Sequence, residues 1–356
     1  KIIVFRTDRL GDYIIHSRPI YELKKKYSQC HITVVCSKLN QKMLKHAKYI
    51  DKLIIYDKAF NLLNKFRIFL EIIKNIYHVT FILDGKKFSY FCNIFIRSKY
   101  KLGLSYRSVK KIFNYNLYFY KPSRIYNFLF FNKVQFFTSR KYLIDIEPLC
   151  QKYLNFFNFF NLNLNVQDKY IFHSTDESSE NLKKINNKIN LDDFIIIHFD
   201  EKWIDVENNE ILLINAIKNL QENMKKKIII TAFNNNFDYF SILKKKFNYV
   251  NCANNNFDNL SNSKIIILDN LELFIFEKLL NLSRINISCH SGFVAQVCGS
   301  NNGKLIDIIN EKDFLWYSCW KPLNTFHEFV FKSTFKHGKK SINDVFNEIY
   351  KIILKL

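Results

Sequence analysis

The chain has 356 residues, of which 48% are hydrophobic and 24% are charged. One hydrophobic core rarely serves a chain of this length, so two domains are expected, and the composition excludes a wholly disordered protein. The 54 Lys and Arg residues outnumber the 32 Asp and Glu residues by 22. This surplus favours an anionic partner such as nucleic acid, a lipid surface or a phosphorylated substrate.

The sequence indicates neither a membrane-spanning segment nor a metal site. No apolar run approaches the roughly 20 residues that cross a bilayer, and no basic-then-apolar leader opens the chain, so a cytoplasmic location is predicted. The eight cysteines form no Cys-x-x-Cys pair and lack zinc-type spacing. They are predicted to be reduced thiols, most of them in the core.

Short β-branched runs alternate with amphipathic stretches in the first half, which is typical of a parallel sheet covered by helices. The predicted strands of this half are Ile2–Phe5, His31–Cys36, Lys52–Tyr56, Val79–Leu83 and Leu102–Leu104. A helix is predicted after the first strand, because the apolar residues that follow Gly11 are spaced for one buried face. The first half is therefore expected to be Rossmann-like.

The same alternation returns in the second half. The Asn/Phe-rich stretch 155–168 breaks the periodicity, so the predicted domains are residues 1–168 and 169–356. The predicted strands of the second domain are Phe194–His198, Lys227–Thr231, Lys264–Leu268, Arg284–Ser288 and Lys304–Ile308, with a helix over Leu271–Leu282. Open parallel sheets bind ligands at the carboxyl ends of their strands, so two such sheets are expected to face each other across a cleft.

The turn after the first strand carries candidate chemistry. It reads Arg6-Thr7-Asp8-Arg9-Leu10-Gly11-Asp12, which lacks the G-x-G-x-x-G fingerprint of dinucleotide-binding proteins. Asp12 stands at the start of the helix, where a carboxylate is favoured by exposed amides and the helix dipole. Two interpretations remain open for Asp12: a helix cap, or a general base that takes a proton from a hydroxyl.

Several segments together resemble the ADP-heptose:lipopolysaccharide heptosyltransferase family. The first is the turn from Arg6 to Asp12, followed by a helix with Arg18-Pro19 and a second strand. The next is Ile195–His198 with Asp200-Glu201-Lys202-Trp203 after it. The last is the helix, strand and turn over Leu271–Gly292. The resemblance spans nearly the whole chain.

The resemblance implies an α/β protein of the GT-B class, with two Rossmann-like domains. The first would bind the acceptor and the second the nucleotide-sugar donor, ADP-heptose, for an inverting transfer to a lipopolysaccharide-type or other anionic glycan. No cofactor and no catalytic metal are implied. Asp12 matches the family's proposed base and Lys202 its donor-phosphate lysine, although one lysine among many also suits a solvated surface position.

The donor-binding turn departs from the family pattern. The family has Asp-Thr-Gly with a His three residues later, whereas this chain reads His290-Ser291-Gly292 and then Ala295. The amides of Ser291 and Gly292 are predicted to bind donor phosphates or to form an ordinary helix cap. His290 is predicted to contact the phosphates or to be only a polar turn residue. A catalytically silent sugar-nucleotide-binding protein is therefore an alternative.

A long segment of the first domain, residues 85–144, contains no Asp or Glu. Its thirteen basic residues are Lys86, Lys87, Arg97, Lys99, Lys101, Arg107, Lys110, Lys111, Lys121, Arg124, Lys133, Arg140 and Lys141. Interleaved aromatic residues suit anionic lipid headgroups at the cytoplasmic face of the inner membrane. The same mixture also suits single-stranded nucleic acid, which is ranked lower, or a solvated basic face with its rings in the core.

The predicted acceptor-binding residues combine the first turn with this basic segment. They are Arg6, Arg9, Arg107, Lys110 and Lys111.

Overall fold

The computed structural model describes residues 1–112, 115–138, 146, 148–162, 164, 175–200, 202–203, 209–232, 238–300, 303–322, 325–336 and 338–356, without the side chains of 109–112, 115–118 and 238–239. The chain forms two compact units, Lys1–Ile171 and Phe172–Leu356. The division predicted between residues 168 and 169 lies outside the described residues.

The first unit is a mainly parallel sheet with helices between its strands. Its strands are β1 (Ile2–Arg6), β2 (Ile32–Cys36), β3 (Lys52–Ile55), β4 (Ile76–Ile82), β5 (Arg97–Ile112), β6 (Tyr115–Lys121) and β7 (Lys133–Thr138). Its helices are α1 (Leu10–Lys26), α2 (Lys38–Leu44), α3 (Leu62–Ile73), α4 (Lys87–Phe95), α5 (Arg124–Phe130) and α6 (Leu149–Phe157). The sheet order is β3-β2-β1-β4-β5-β6, and β7 also pairs with β5. Among the strands described in this unit, only β6 is antiparallel to its neighbour, β5.

The second unit repeats this design. Its strands are β8 (Phe194–Phe199), β9 (Lys227–Ala232), β10 (Asn248–Asn251), β11 (Ile265–Asp269), β12 (Ile285–Ser288), β13 (Leu305–Asn310), β14 (His327–Thr334) and β15 (Gly338–Lys339). Its helices are α7 (Asp176–Ile189), α8 (Glu210–Met224), α9 (Asp238–Lys246), α10 (Leu273–Leu282), α11 (Gly292–Ser300), α12 (Phe314–Cys319) and α13 (Ile342–Ile353). The order is β10-β11-β9-β8-β12-β13-β14-β15, and β15 is antiparallel to β14.

The strands with continuous apolar runs form as predicted. Every residue of β1 and of β8 is buried, because helices on both faces of a parallel sheet leave no solvent-facing side. The predicted strand at 102–104 is part of the longer β5, which pairs with β4, β6 and β7. Strands β6, β7, β10, β14 and β15 are not predicted from the sequence.

Each sheet reverses its strand order beside its first strand. Strand β1 lies between β2 and β4, and β8 lies between β9 and β12. Ligands of open α/β sheets bind where the order reverses, at the carboxyl ends of the strands. The turns after β1 and β4, and those after β8 and β12, are therefore where the candidate residues should be sought. No helix in the described parts of the chain is long and apolar enough to cross a bilayer.

Candidate functional site

Arg6 at the end of β1 holds the backbone of Asp12 in place. The Arg6 side chain is 1% exposed. Its Nε and Nη2 donate to the Asp12 carbonyl oxygen at 3.0 and 2.8 Å, and its Nη1 donates to the carbonyl of Leu83. His16 Nδ1 donates to the same Asp12 carbonyl at 2.9 Å. Burial lowers the pKa of His16 well below its usual value, so its ring is neutral at pH 7.

The carboxylate of Asp12 lies at the first turn of α1. Its Oδ2 accepts from the amide of Arg9 at 3.3 Å, and its Oδ1 lies 3.6 Å from Nη2 of Arg6. The side chain is 22% exposed. The carboxylate therefore caps the helix while keeping access to solvent. This geometry accommodates both interpretations of Asp12, because a carboxylate that accepts one hydrogen bond from an amide still has lone pairs that can take a proton.

Two further carboxylates lie at the ends of β1 and β4. Oδ1 of Asp8 is 3.2 Å from Nε of Arg6. Burial raises the pKa of Asp8 well above its usual value, against the opposing charge of Arg6. Asp84 is 5% exposed, and its Oδ2 accepts from the hydroxyls of Thr7 at 2.6 Å and Ser89 at 2.8 Å. Asp84 thus ties the two strand ends together.

The structure leaves the acceptor role of all five predicted residues untested, but it places one of them, Arg6, in the interior of the first unit. Arg6 is buried, and all three guanidinium nitrogens contact carbonyl or carboxylate groups of the unit itself, so direct acceptor binding by Arg6 is not supported. Arg9 is exposed, and its contact with the acceptor stays a prediction. The side chains of Lys110 and Lys111 lie outside the described residues.

Arg107 lines a cavity of about 660 Å³ in the first unit. Two further cations, Arg124 and Lys152, share its wall, and no acid is among the described lining residues. The other lining residues are Tyr120, Asn127, Phe128, Val134, Phe136, Phe137 and Thr138. Arg124 donates to the Tyr120 hydroxyl at 2.8 Å and lies 4.4 Å from the ring centroid. Cations on aromatic walls suit an anionic sugar or phosphate.

In the second unit, Lys202 joins the turn after β8 to the turn after β12. Its Nζ donates to the carbonyl oxygen of His290 and lies 3.8 Å from Oδ2 of Asp200. Its own carbonyl accepts from Nζ of Lys332 at 2.5 Å. The Lys202 side chain is 25% exposed. These contacts do not describe a freely solvated lysine, yet they leave the ammonium accessible to a ligand.

His290 is anchored by a buried carboxylate. Its Nδ1 lies 2.8 Å from Oδ2 of Asp307, and its ring centroid lies 3.8 Å from that of Tyr317. Asp307 Oδ2 also lies 2.8 Å from Nε2 of His327, and its Oδ1 accepts from the Ser288 hydroxyl at 2.7 Å. The backbone of His290 has a φ of 56°, an uncommon left-handed conformation. The turn is therefore held by a connected polar network.

The electrostatics of this network determine which ring nitrogen of His290 carries the proton. Burial alone would raise the pKa of Asp307, but His290 and His327 outweigh burial and hold that pKa far below its ordinary value. Burial also lowers the pKa of His290, with Asp307 opposing. A neutral His290 facing an ionised Asp307 carries its proton on Nδ1. His290 is therefore more than a solvated turn residue, and its contact with phosphates stays a prediction.

The two predicted amides differ in availability. The Ser291 amide donates to the Ser288 hydroxyl at 3.3 Å, so it is partly engaged within the unit. Helix α11 begins at Gly292, and first-turn amides have no intrahelical acceptor. Lys202, His290, Ser291 and Gly292 are thus brought together at the β8/β12 strand ends, with Gly292 offering the freer amide.

Sequence reasoning missed three residues that support these sites. Asp84 directly follows the predicted strand Val79–Leu83, so the rule of searching after each strand would have found it. Asp307 is a carboxylate within the apolar run of β13, which is a signal for a buried partner. Lys332 is 3% exposed on β14, a strand that the sequence pattern did not predict.

Buried His198 gives a testable pH dependence. It lies at the end of β8 with Nδ1 3.0 Å from the Thr231 hydroxyl, and burial, with Lys202, lowers its pKa to about 3. Below the unfolded pKa of 6.5, the unfolded chain binds a proton that the folded chain refuses, so stability falls as pH falls. From pH 7.5 to 5.5, this group alone is expected to remove about 1 kcal/mol of unfolding free energy.

Urea unfolding at both pH values tests this expectation. The variant His198→Gln should lose less unfolding free energy on acidification than the unmodified chain does. An unchanged pH-dependent loss in the variant would contradict the assignment of a neutral, buried His198.

Comparisons with known proteins address the fold. No protein-family model and no curated protein sequence matches the chain. A solved glycosyl transferase family 9 structure from Veillonella parvula matches with a TM-score of 0.69 and 13% identity, covering 100% of this chain and 98% of its own. The fold prediction is confirmed. The chain has the GT-B fold, with two Rossmann-like units.

Two E. coli structures extend this fold match. ADP-heptose lps heptosyltransferase II matches with a TM-score of 0.63 and 11% identity, covering 100% of this chain and 99% of its own. Heptosyltransferase WaaC with ADP-2-deoxy-2-fluoro heptose matches with a TM-score of 0.65 and 10% identity, covering 99% of each chain. Identities this low leave the fold as the shared property. Across the described ranges, no group of three or more His, Cys, Asp or Glu could hold a metal ion.

Proposed function

We propose that the chain is an inverting glycosyltransferase that moves a sugar from a nucleotide-sugar to a lipopolysaccharide-type or other anionic glycan. The observation that carries this proposal is the contact of Lys202 with the His290 turn at the β8/β12 strand ends. Heptose is the proposed sugar and ADP-heptose the proposed donor. The similar E. coli structure with ADP-2-deoxy-2-fluoro heptose supports that choice.

Residues 169–356 are proposed to bind the donor. A departing nucleoside diphosphate accumulates negative charge, which a cation and first-turn amides of a helix can stabilise. Lys202 supplies the ammonium, and Gly292 supplies an amide at the start of α11. His290, fixed by Asp307, holds the shape of the turn between them.

Residues 1–168 are proposed to bind the acceptor and to hold the base. The acceptor hydroxyl oxygen forms a bond to the anomeric carbon of the sugar while the bond from that carbon to the phosphate oxygen breaks. The nucleoside diphosphate leaves with the electron pair, and the hydroxyl proton passes to the Asp12 carboxylate. The proposal uses no cofactor and no catalytic metal.

The cavity lined by Arg107, Arg124 and Lys152 is proposed to bind anionic groups of the acceptor. Guanidinium groups form paired hydrogen bonds with phosphate and carboxylate. Arg9 is proposed as a further contact, since it is exposed beside Asp12. An acceptor of this kind is lipid-linked, so the proposed place of action is the cytoplasmic face of the inner membrane.

A transfer assay tests the proposed function. The purified chain is incubated with a panel of nucleotide-sugars and a lipopolysaccharide-core acceptor, and released nucleotide and acceptor mass are measured, with and without EDTA. Nucleotide release that requires the acceptor, with a mass gain of one sugar that EDTA does not abolish, is expected. ADP-heptose should give the fastest release.

Binding measurements beside this assay separate the alternatives. Tight nucleotide-sugar binding with no release would favour the catalytically silent binding protein, an alternative based on His290 and Ala295 standing where the family has Asp and His. Salt-dependent binding of oligonucleotides, without binding of nucleotide-sugars, would favour a nucleic-acid-binding protein.

A further inference from the structure

Three helices of the first unit lie side by side on one face of its sheet. Helices α3 and α4 contact each other through Phe69, whose ring centroid lies 5.3 Å from that of Phe91 and 5.5 Å from that of Phe95. Helices α4 and α5 are joined where Nδ2 of Asn93 donates to the Phe130 carbonyl at 3.1 Å. All three helices pack inward on one core cluster. We call this outer surface the three-helix face.

The three-helix face exposes many large apolar side chains. They are Leu62 83%, Leu63 57%, Phe66 53% and Leu70 44% on α3, Phe91 50%, Ile94 38% and Phe95 49% on α4, and Ile125 73%, Phe128 87% and Leu129 62% on α5. In the second unit, the described residues that are comparably exposed are only Ile211, Leu282, Phe326, Phe335 and Leu354. Many large apolar side chains exposed on three neighbouring helices mark an interaction site.

The charges around the three-helix face are positive. Residues 58–100 contain eight basic side chains: Lys58, Lys65, Arg67, Lys74, Lys86, Lys87, Arg97 and Lys99. The same segment has two acids: Glu71 lies 2.6 Å from Nζ of Lys52, and Asp84 is buried. Helix α5 and its surroundings lie in the acid-free segment 85–144. The face therefore combines exposed rings and aliphatic groups with a surplus of basic residues.

We propose that the three-helix face docks on the surface of an anionic membrane. Apolar side chains from all three helices enter the headgroup boundary, while the surrounding Lys and Arg residues contact lipid phosphates. The helices have 12, 9 and 7 residues, so they lie on the membrane and do not cross it. A neutral apolar partner would leave the cations without counterparts, which is why anionic lipid is the occupant that the face fits.

This docking places the acceptor cavity at the membrane. Phe128 belongs both to the exposed row of α5 and to the wall of the cavity with Arg107, Arg124 and Lys152. A lipid-linked acceptor could then keep its chains in the bilayer while its anionic head enters the cavity. This consequence rests on the proposed function, whereas the docking itself does not.

Vesicle co-sedimentation of the full chain tests the docking. The vesicles contain phosphatidylglycerol with phosphatidylethanolamine, or phosphatidylcholine alone, and no donor or acceptor is added. The face variant replaces one exposed side chain per helix, Leu62→Ser, Phe91→Ser and Leu129→Ser. The matched control variant replaces Ile211→Ser, Phe335→Ser and Leu354→Ser in the second unit, at 70%, 77% and 64% exposure.

The unmodified chain is expected to bind anionic vesicles but not phosphatidylcholine vesicles. The partition coefficient of the face variant onto anionic vesicles should be at least tenfold lower. The partition coefficient of the control variant should equal that of the unmodified chain. A second variant, Arg67→Glu with Lys87→Glu, should also weaken binding, because it changes charge without removing apolar surface. Equal partition of the face and control variants, or equal binding to both vesicle types, would overturn the proposal. So would a dimer in sedimentation velocity that the face variant dissociates while vesicle binding persists.

Membrane docking and sugar transfer can be refuted independently of each other. Sugar transfer by the face variant to a delipidated, water-soluble acceptor should match that of the unmodified chain. Vesicle binding without any transfer would refute only the transferase, and transfer without vesicle binding would refute only the docking.

Discussion

Replacing Asp12 with asparagine is expected to lower kcat for sugar transfer by about 10²- to 10⁴-fold, the usual contribution of a general base. Asparagine keeps a side-chain oxygen that can accept from the Arg9 amide, so the helix cap is retained. The change therefore removes the proton acceptor with little change in the turn. Donor affinity, measured by calorimetry with the nucleoside diphosphate, should stay within about twofold, because the donor is bound by the second unit in this account.

The Asp12→Ala variant completes the test of Asp12. Alanine removes both the base and the side-chain acceptor for the Arg9 amide in the capping box of α1, and loss of a helix-capping contact costs about 1 kcal/mol of stability. A cap-only role would leave the asparagine variant active and the alanine variant less stable but active. Full turnover by Asp12→Asn would remove Asp12 from the mechanism.

Replacing Lys202 with alanine is expected to weaken donor affinity by about 10- to 100-fold, which corresponds to the loss of one charge-assisted hydrogen bond. The reason is that its ammonium lies in the β8/β12 turns beside His290, where the diphosphate is proposed to bind. Affinity for the nucleoside diphosphate is measured by calorimetry at two salt concentrations. The salt dependence should also decrease in the variant.

Lys218→Ala is the matched control for Lys202. Lys218 is an exposed lysine on α8 in the same unit, so its removal changes the net charge equally. Its donor affinity should equal that of the unmodified chain. If the two alanine variants bind the nucleoside diphosphate alike, Lys202 is not part of the donor site.

Most strands of the two sheets could be predicted from the sequence, because the central strands are apolar throughout. Strands β1 and β8 are buried on both faces of their sheets. Strands of this kind consist of short continuous hydrophobic runs, which can be recognised in the sequence. The turns after them could be predicted as functional because parallel sheets bind ligands at strand ends. That reasoning led to the turn that contains Asp12, whereas Lys202 was predicted only from the resemblance to the heptosyltransferase family.

The remainder depends on contacts between distant residues. Strands β5 and β6 pair through Lys- and Tyr-rich sequence, which has neither an apolar run nor a clean alternation. His290 meets Asp307 from 17 residues away, and Lys332 reaches the Lys202 carbonyl from 130 residues away. No local pattern encodes such pairs. Arg6 was predicted as an acceptor contact because a cation in a turn suggests a ligand, and the sequence did not indicate that it secures the Asp12 backbone.

The anomeric configuration of the product tests the central claim, that the acceptor hydroxyl displaces the nucleoside diphosphate in one step. Proton NMR of the purified glycan, compared with the donor, reports the new linkage. A single displacement predicts the configuration opposite to that of the donor. A product with the donor's configuration would contradict the account.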